Sequence, residues 1–337
     1  MPRIWPRARR ARSGHRSTVR RGWRRVLPVS VGAELAAGMV AMAVLVATGP
    51  ASASAPPAGR AVAASGPTRA PMKRGGGPVD VLYAGSLLDL MEQQLGPAFH
   101  EATGYTENGV AAGSQELASE IKGRTQKADV FISAAPAVNS SLEGRANGGW
   151  VSWFATFATS PLLLAYNPHS RFAKDLRTMP WWKVVTMHGF LLGRTDPAID
   201  PKGVLALDAL ESTARLRHLP ALSALARSTR EVFPEQTLVG RLQAGQLDAG
   251  FFFEVEARAA KLPTVPLTGT KLGAQYTVTV LNGAPDPVGA AAFVGFMLGS
   301  EGRAILARNG LSVPDPIRVE GDAAGVPASL RSVLSGS

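Results

Sequence analysis

The stretch VDVLYAGSLLDLMEQQLG, residues 79–96, decides how the chain is read. Val79, Val81 and Tyr83 alternate as in a short strand, and Leu87, Leu90, Met91 and Leu95 then recur at helical spacing. The junction is Ala84-Gly85-Ser86, a patch with almost no side chain. A strand that runs into a helix through such residues exposes the helix's first N–H groups, which have no intrahelical acceptor and carry the positive end of the dipole. Small residues let an anion reach the backbone, and a hydroxyl adds a donor. Gly85 and Ser86 are therefore candidate anion ligands, in a site that needs no Lys or Arg. The simpler alternative is that Ser86 is an ordinary N-cap.

The same step recurs in GVAAGSQELASEIKG, residues 109–123, where Gly113-Ser114 opens a short helix with Leu117 and Ile121 on one face. If the strands ahead of the two Gly-Ser steps lie parallel and adjacent, both helix openings point into one crevice at the sheet's carboxyl edge, where α/β ligands bind. A third candidate is GRTDPAIDPKG, residues 193–203. Asp before Pro is a helix-start signal, so Asp200 can simply cap a helix beginning at Pro201. Alternatively the loop donates the N–H groups of Lys202 and Gly203, with Asp200 facing the ligand. A free carboxylate repels a dianion, and this second arrangement makes sense only if Asp200 ligates the central metal of an oxyanion.

Elsewhere strands and helices alternate. Strands are expected at 128–132, 160–166, 189–196, 247–253 and 276–281, and helices at 203–216, 238–246, 287–298 and 300–307, with Ser300 as N-cap and Gly310 as stop. The pattern predicts α/β layers with largely parallel sheets, and about 260 folded residues are too many for one ordinary sheet, so two lobes are expected.

The net charge of +11 suggests a nucleic-acid binder, but its distribution excludes one. Residues 1–53 hold ten Arg and one Glu, and the remainder holds 26 basic and 24 acidic residues. The tail has an export layout: an Arg-rich segment, the apolar run LAAGMVAMAVLVA (35–47), then small residues with a cleavage site expected at Ala51-Ser52-Ala53. Residues 1–53 are read as a signal peptide, with an uncleaved anchor as the alternative, although the apolar run is shorter than the roughly 18–20 residues of a spanning helix. Arg20-Arg21-Gly22-Trp23 resembles a twin-arginine signal. Residues 54–77 read as a flexible Pro/Gly/Ala-rich linker. With no cysteine, disulfides, thiolate metal sites and a lipidated cysteine are all excluded.

An exported serine hydrolase using Ser86 or Ser114 is a competing class, but there is no Gly-x-Ser-x-Gly elbow, no HExxH and no GxxxxGK loop. His100, His169, His188 and His218 fall in no recognisable triad motif. The chain is read as a binding protein, not an enzyme.

From about residue 79 to 313 the chain resembles the extracellular solute-binding proteins of molybdate/tungstate ABC transporters. The resemblance rests on VDVLYAGSL, GPAFHEATGY, GSQELASEIKG, ADVFISAAP, LLLAYNPHS, GRTDPAIDPKG, QLDAGFFF and AAAFVGFMLGSEGRAILARNGL. It implies an α/β, two-lobed periplasmic-binding-protein fold of type II, each lobe a mainly parallel sheet flanked by helices. Lobe I is expected over 78–160 and 273–337, and lobe II over 161–272. The resemblance further implies a tetrahedral oxyanion as ligand, an ABC permease as membrane partner, no cofactor, a monomer, and a periplasmic or extracellular location. It implies that Ser86 and Ser114 bind oxygens, and that Thr195 and the Asp200 loop with the EQT segment (Thr237) complete the site from the second lobe. The family's second-lobe strand often presents a tyrosine hydroxyl near Phe253 or a carboxylate close by. Here Phe253 lacks the hydroxyl, leaving the backbone or Glu254 to fill its place, with Asp200 and Glu254 as candidate direct ligands to a Mo or W centre. Sulfate, phosphate and ferric ion are the other ligands to be tested.

Overall fold

The computed structural model describes residues 76–334. The expected signal segment and nearly all of the expected linker lie outside them. Ten strands form the sheet: β1 (Gly77–Ala84), β2 (Tyr105–Ala112), β3 (Val130–Ser133), β4 (Trp153–Tyr166), β5 (Leu192–Thr195), β6 (Val232–Phe233), β7 (Ala249–Phe253), β8 (Thr264–Pro266), β9 (Gly273–Val280) and β10 (Arg318–Gly321). Their order is β2-β1-β3-β9-β4-β7-β5-β6, with β8 and β10 also paired to β4.

The wings of this sheet are parallel and its centre is antiparallel. β1 runs parallel to β2 and β3, and β5 runs parallel to β6 and β7. β9 is antiparallel to β3 and β4, and β4 is antiparallel to β7. The largely parallel sheets expected from β/α alternation thus hold on each wing, where helices supply the crossovers. They fail at the centre, where the chain crosses directly between the two halves.

β4 is the reason that one strand can serve both halves. Its first part pairs with β9 and β10 through residues 153–161, and its last five residues pair with β7. Pro161 sits at the changeover and is exposed, in keeping with the confinement of strand proline to edges and irregularities. The return crossing lies beside it: Leu162 N donates to Leu272 O at 2.9 Å, and a Cβ on Gly273 would come within 2.6 Å of Ser160 O. Only glycine allows the two crossings to pack this closely.

Both faces of the sheet are covered. Along β1, Val79, Val81 and Tyr83 enter one apolar cluster and Leu82 enters another. Along β7, Phe251 and Phe253 point one way and Phe252 the other. This is the period-two alternation of a strand buried on both sides. Each fully buried phenylalanine contributes roughly 1.5–3 kcal/mol of transfer free energy.

The helix expected over 287–298 is present as Pro287–Leu298, with Asp286 Oδ1 accepting from Gly289 N at 2.9 Å as its cap. The next helix, Ser300–Arg308, is capped by Gly299, so Ser300 is its first residue and not its N-cap. Gly310 follows it with φ +85°, the left-handed conformation suited to a stop.

Candidate anion site

The two Gly-Ser steps leave the sheet from paired positions. Ala84 of β1 is in register with Ala112 of β2, so Gly85-Ser86 and Gly113-Ser114 emerge side by side at the carboxyl edge. β3 ends next to them, since Tyr83 is in register with Ile132, and Ala134 N donates to Ser114 Oγ at 3.1 Å. From β9, Tyr276 OH donates to Ser86 Oγ at 2.9 Å. Neither serine is an N-cap: Ser86 lies inside the opening turn Gly85–Leu87, and Ser114 is the first residue of the helix Ser114–Gly123, whose cap is Gly113. Each hydroxyl accepts one hydrogen bond from within the fold, and each therefore keeps its own proton to donate.

The second half of the sheet brings charge to this edge. Asp200 caps the helix Pro201–Arg217, its Oδ1 accepting from Lys202 N at 2.9 Å. The Lys202 side chain is fully buried, and its Nζ pairs with Glu235 Oε1 at 3.0 Å and Glu256 Oε1 at 2.6 Å. Glu235 opens the helix Glu235–Gln243, and Glu256 lies in the first turn of the helix Glu254–Ala259. Glu256 Oε2 accepts from Phe253 N at 2.9 Å, completing a capping arrangement. Two carboxylate oxygens of this group, Asp200 Oδ2 and Glu235 Oε2, are buried and accept no hydrogen bond of normal geometry among the described residues. The Thr195 hydroxyl stands close enough to Asp200 to favour its charged form without forming such a bond.

The two halves meet over the site. The Glu235 carboxylate rests on Gly85, where a Cβ would lie 2.7 Å from its free Oε2. A Cβ on Gly113 would lie 3.2 Å from Asp200 Cβ and collide with the Ile199 carbonyl. That carbonyl accepts from Gln115 N at 3.1 Å and Glu116 N at 3.2 Å, and Gln236 Nε2 donates to Ala111 O at 2.9 Å. A cavity of about 170 Å³ opens beside the cluster, lined by Gly85, Ser86, Glu235, Val255, Glu256 and Asn309. It has room for several waters at ~30 Å³ each, or for one small ion.

Burial sets the electrostatics. It raises the Glu235 carboxyl, aided by the Asp200 charge and opposed by Lys202. It also raises Asp200 and Glu256, against the pull of Lys202 on both. Burial works against the Lys202 ammonium, but the Glu235, Glu256 and Asp200 carboxylates outweigh it and hold the group above its ordinary range. Burial likewise raises the Tyr276 phenol, with Glu256 adding to the effect, so the phenol is a hydrogen-bond donor at every physiological pH.

A sheet in two halves, with small-residue helix openings at one carboxyl edge, is the setting for comparison with known proteins. Residues 79–312 match the family described as bacterial extracellular solute-binding protein. The chain belongs to that family. An uncharacterized solute-binding protein of Petrotoga mobilis is 26% identical over 299 residues, covering 77% of this chain and 91% of its own. A putative ABC transporter molybdenum-binding protein of Haloferax volcanii is 30% identical over 190 residues, covering 56% of this chain and 59% of its own. Among solved structures, the periplasmic molybdate-binding protein of Azotobacter vinelandii superposes with a TM-score of 0.56 at 19% identity, over 70% of this chain and all of its own. The sulfate-binding protein SubI of Mycobacterium tuberculosis does so with a TM-score of 0.57 at 15% identity, over 72% and 88%. These likenesses establish the two-lobed α/β binding-protein fold that the sequence resemblance implies.

Within this solute-binding protein the residues singled out from the sequence separate into two groups. Gly85, Ser86, Gly113, Ser114, Thr195 and Asp200 adjoin the buried cluster, directly or through their immediate neighbours. The others do not present the groups expected of them. The Lys202 N–H is used by the Asp200 cap, and the Gly203 N–H goes to Asp200 O at 3.0 Å. Gly203 is packed on the Thr195–Pro197 backbone, where a Cβ would lie 2.6 Å from Pro197 N. Thr237 is exposed and donates to Pro234 O at 3.1 Å. The Phe253 ring lies in the core, 6.1 Å from that of Tyr276. Glu254 turns away to pair with Arg258 at 2.7 Å, the i,i+4 partner on its own helix.

The groups that do converge are the Lys202 side chain, Glu235, Glu256 and Tyr276. A buried lysine stands at this edge, a cation that the reading of a site without Lys or Arg left out, and its partners are the carboxylates of Glu235 and Glu256. Phe253 offers no phenol, and the phenol at this edge is that of Tyr276 from β9, which donates to Ser86. Glu256 carried only half a signal, since a Glu at the third helical position can reach back to the cap N–H but Phe253 ahead of it is no capping side chain. Tyr276 and the Lys202 side chain carried none.

Proposed function

We propose that this solute-binding protein captures molybdate or tungstate between the two halves of its fold and delivers it to the permease of an ABC importer. The observation that carries the reading is the pair of buried, unpartnered carboxylate oxygens, Asp200 Oδ2 and Glu235 Oε2, at the edge where Ser86 and Ser114 keep hydroxyl protons to donate. Free carboxylate oxygens repel sulfate or phosphate, whose central atoms accept no further ligand. They are suited to an oxyanion centred on a high-valent metal, which takes hard oxygen donors. The hydroxyls then serve the oxo groups, each charge-assisted hydrogen bond returning roughly 1.5–3 kcal/mol.

In this reading the ligand is cargo and no cofactor is involved. Residues 1–53 direct export, the protein acts as a monomer outside the cytoplasmic membrane, and donors from the second half are reached only on closure, which couples shape to occupancy. The names of relatives such as the Haloferax volcanii protein favour the same ligand. Neither Ser86 nor Ser114 hydrogen-bonds a histidine among the described residues, so their surroundings give the hydrolase alternative no support. Titration calorimetry with molybdate, tungstate, sulfate, phosphate and ferric citrate tests the proposal. Molybdate and tungstate are expected to bind at least tenfold more tightly than the rest, a difference of about 1.4 kcal/mol or more. Tighter binding of sulfate, phosphate or ferric ion overturns it.

A further inference from the structure

The unpartnered oxygen of Glu235 does not hold its direction unaided. Its carboxylate is the end of a chain of contacts that begins in β7. Phe253 N, at the end of that strand, fixes Glu256 Oε2 at 2.9 Å. Glu256 Oε1 holds Lys202 Nζ at 2.6 Å, and Lys202 Nζ holds Glu235 Oε1 at 3.0 Å. Glu235 Oε2 is then left facing Gly85. Every link is buried, and the ammonium is walled by the Phe252 and Phe253 rings, whose centroids lie 5.5 and 5.7 Å from Nζ. The position where the family often offers a phenol is thus used here to shelter a cation.

Lys202 itself points at no ligand-facing backbone. Both bonds of its ammonium go to carboxylates, and its role lies in what it does to them. By taking one oxygen of Glu235 it leaves the other free, and its charge opposes the push of burial toward the neutral acid. Glu256 in turn is saturated, with one oxygen on Lys202 and the other on Phe253 N, so it braces the lysine and offers nothing to a ligand.

We propose that Lys202, braced by Glu256, is a positioning residue that presents the free oxygen of Glu235 toward the Gly85-Ser86 turn, and that this bracing sets the preference for oxyanions whose central atom accepts an additional oxygen ligand over sulfate and phosphate. The inference rests on the ligand reading above and adds to it the residues that enforce selectivity from behind the site. Removing the brace frees the Glu235 carboxyl to rotate, and its Oε2 is then no longer held toward the turn.

The test compares wild type with Lys202→Met, Lys202→Arg and Glu256→Gln. Tungstate and sulfate affinities are read by calorimetry, and the tungsten coordination number by X-ray absorption of the bound state. Thermal melts report folding separately. Glu256→Gln keeps shape and is the variant that decides the matter if Lys202→Met does not fold. The expected result is a fall of roughly 10–100-fold in the tungstate-to-sulfate affinity ratio for Glu256→Gln and Lys202→Met, the size found when groups supporting metal ligands are removed. A lower tungsten coordination number is expected alongside, with partial recovery in Lys202→Arg. If wild type binds tungstate selectively and both variants keep its ratio and its coordination number, the bracing role is overturned while the ligand reading stands. If wild type binds none of these ions, the ligand reading falls and the bracing role falls with it.

Discussion

Two glutamates of this protein have buried carboxyl groups that burial makes weaker acids, and they differ in nearly everything else. Glu235 joins the two halves of the sheet and has Lys202 at 3.0 Å. Glu107 lies on β2 within the first half, and neither of its carboxyl oxygens has a hydrogen-bond partner among the described residues. Its charged neighbour is another acid, Glu92, whose Oε1 accepts from Tyr83 OH at 2.6 Å. Burial and then the Glu92 charge push the Glu107 carboxyl up. Gly96 and Gly109 make room for the group, since a Cβ on Gly96 would lie 2.5 Å from Glu107 Oε2 and one on Gly109 would lie 2.6 Å from the Tyr83 ring. Burial without a cation yields a neutral acid near pH 7. Burial beside an ammonium meets an opposing pull toward the charged form, and the ion pair fixes the direction of the carboxyl group, which is the arrangement that can serve a ligand.

The largest expected effect comes from making the first region resemble the second. Lys202→Met removes the cation from Glu235 and Glu256 and leaves two unpaired buried acids. A loss of about 3–5 kcal/mol at neutral pH is expected, measured by urea unfolding. A loss below about 1 kcal/mol would show that the buried pairs contribute little to the fold.

Glu107 gives the opposite sign. Its folded-state value lies above the unfolded one, so the folded state binds more protons between pH 4.5 and about 8. Stability from this group is full below pH 4.5 and is lost as pH rises through 8. Glu107→Gln should therefore raise stability at pH 9, by about 3 kcal/mol if most of the displacement is realised at ~1.4 kcal/mol per pH unit, and change little at pH 5. Equal melting shifts at both pH values would refute a neutral Glu107.

A smaller effect separates the region between the halves from the one within a half. Gly113→Ala places a methyl group against the Ile199 carbonyl, which sits on the opening N–H groups of the Ser114 helix. Overpacking of this kind costs about 1–3 kcal/mol. It should appear as weakened tungstate binding and a radius of gyration that no longer contracts with ligand, because the cost falls on closure. Undiminished contraction in small-angle scattering would show that the carbonyl contact does not control closure. The smallest effect on folding belongs to Asp200→Ala, which loses the cap on Lys202 N and about 1 kcal/mol. Tungstate affinity should collapse in the same variant. Retention of that affinity would confine Asp200 to its capping role.

How much of this was readable depended on how local the cause was. The strand–Gly-Ser–helix steps at 85 and 113 and the Asp200-Pro201 start were legible, because each is set by residues within one turn of helix. A strand was supposed ahead of Gly113 but β2 was given no bounds, since Tyr105–Ala112 is a half-exposed edge strand with Glu107, Asn108 and Gly109 at its middle and no clean alternation. β4 was read from 160 onward, because Pro161 looked like a beginning when it marks a change of partner. Thr237 and Glu254 were reasonable candidates by position, but each is two residues from the carboxylate that is buried, and helical geometry turned them outward.

By itself the amino-acid sequence determined the α/β alternation, the small-residue helix openings and the capped loop at Asp200, since backbone propensity and capping act over a few residues. Only the tertiary structure decided that Lys202 would meet Glu235, 33 residues away, and Glu256, 54 residues away, with Tyr276 arriving from β9 to hold Ser86. Those partners belong to separate elements whose neighbours are chosen by the strand order and by the burial of both sheet faces, and a buried charge takes its value from whatever that packing brings beside it.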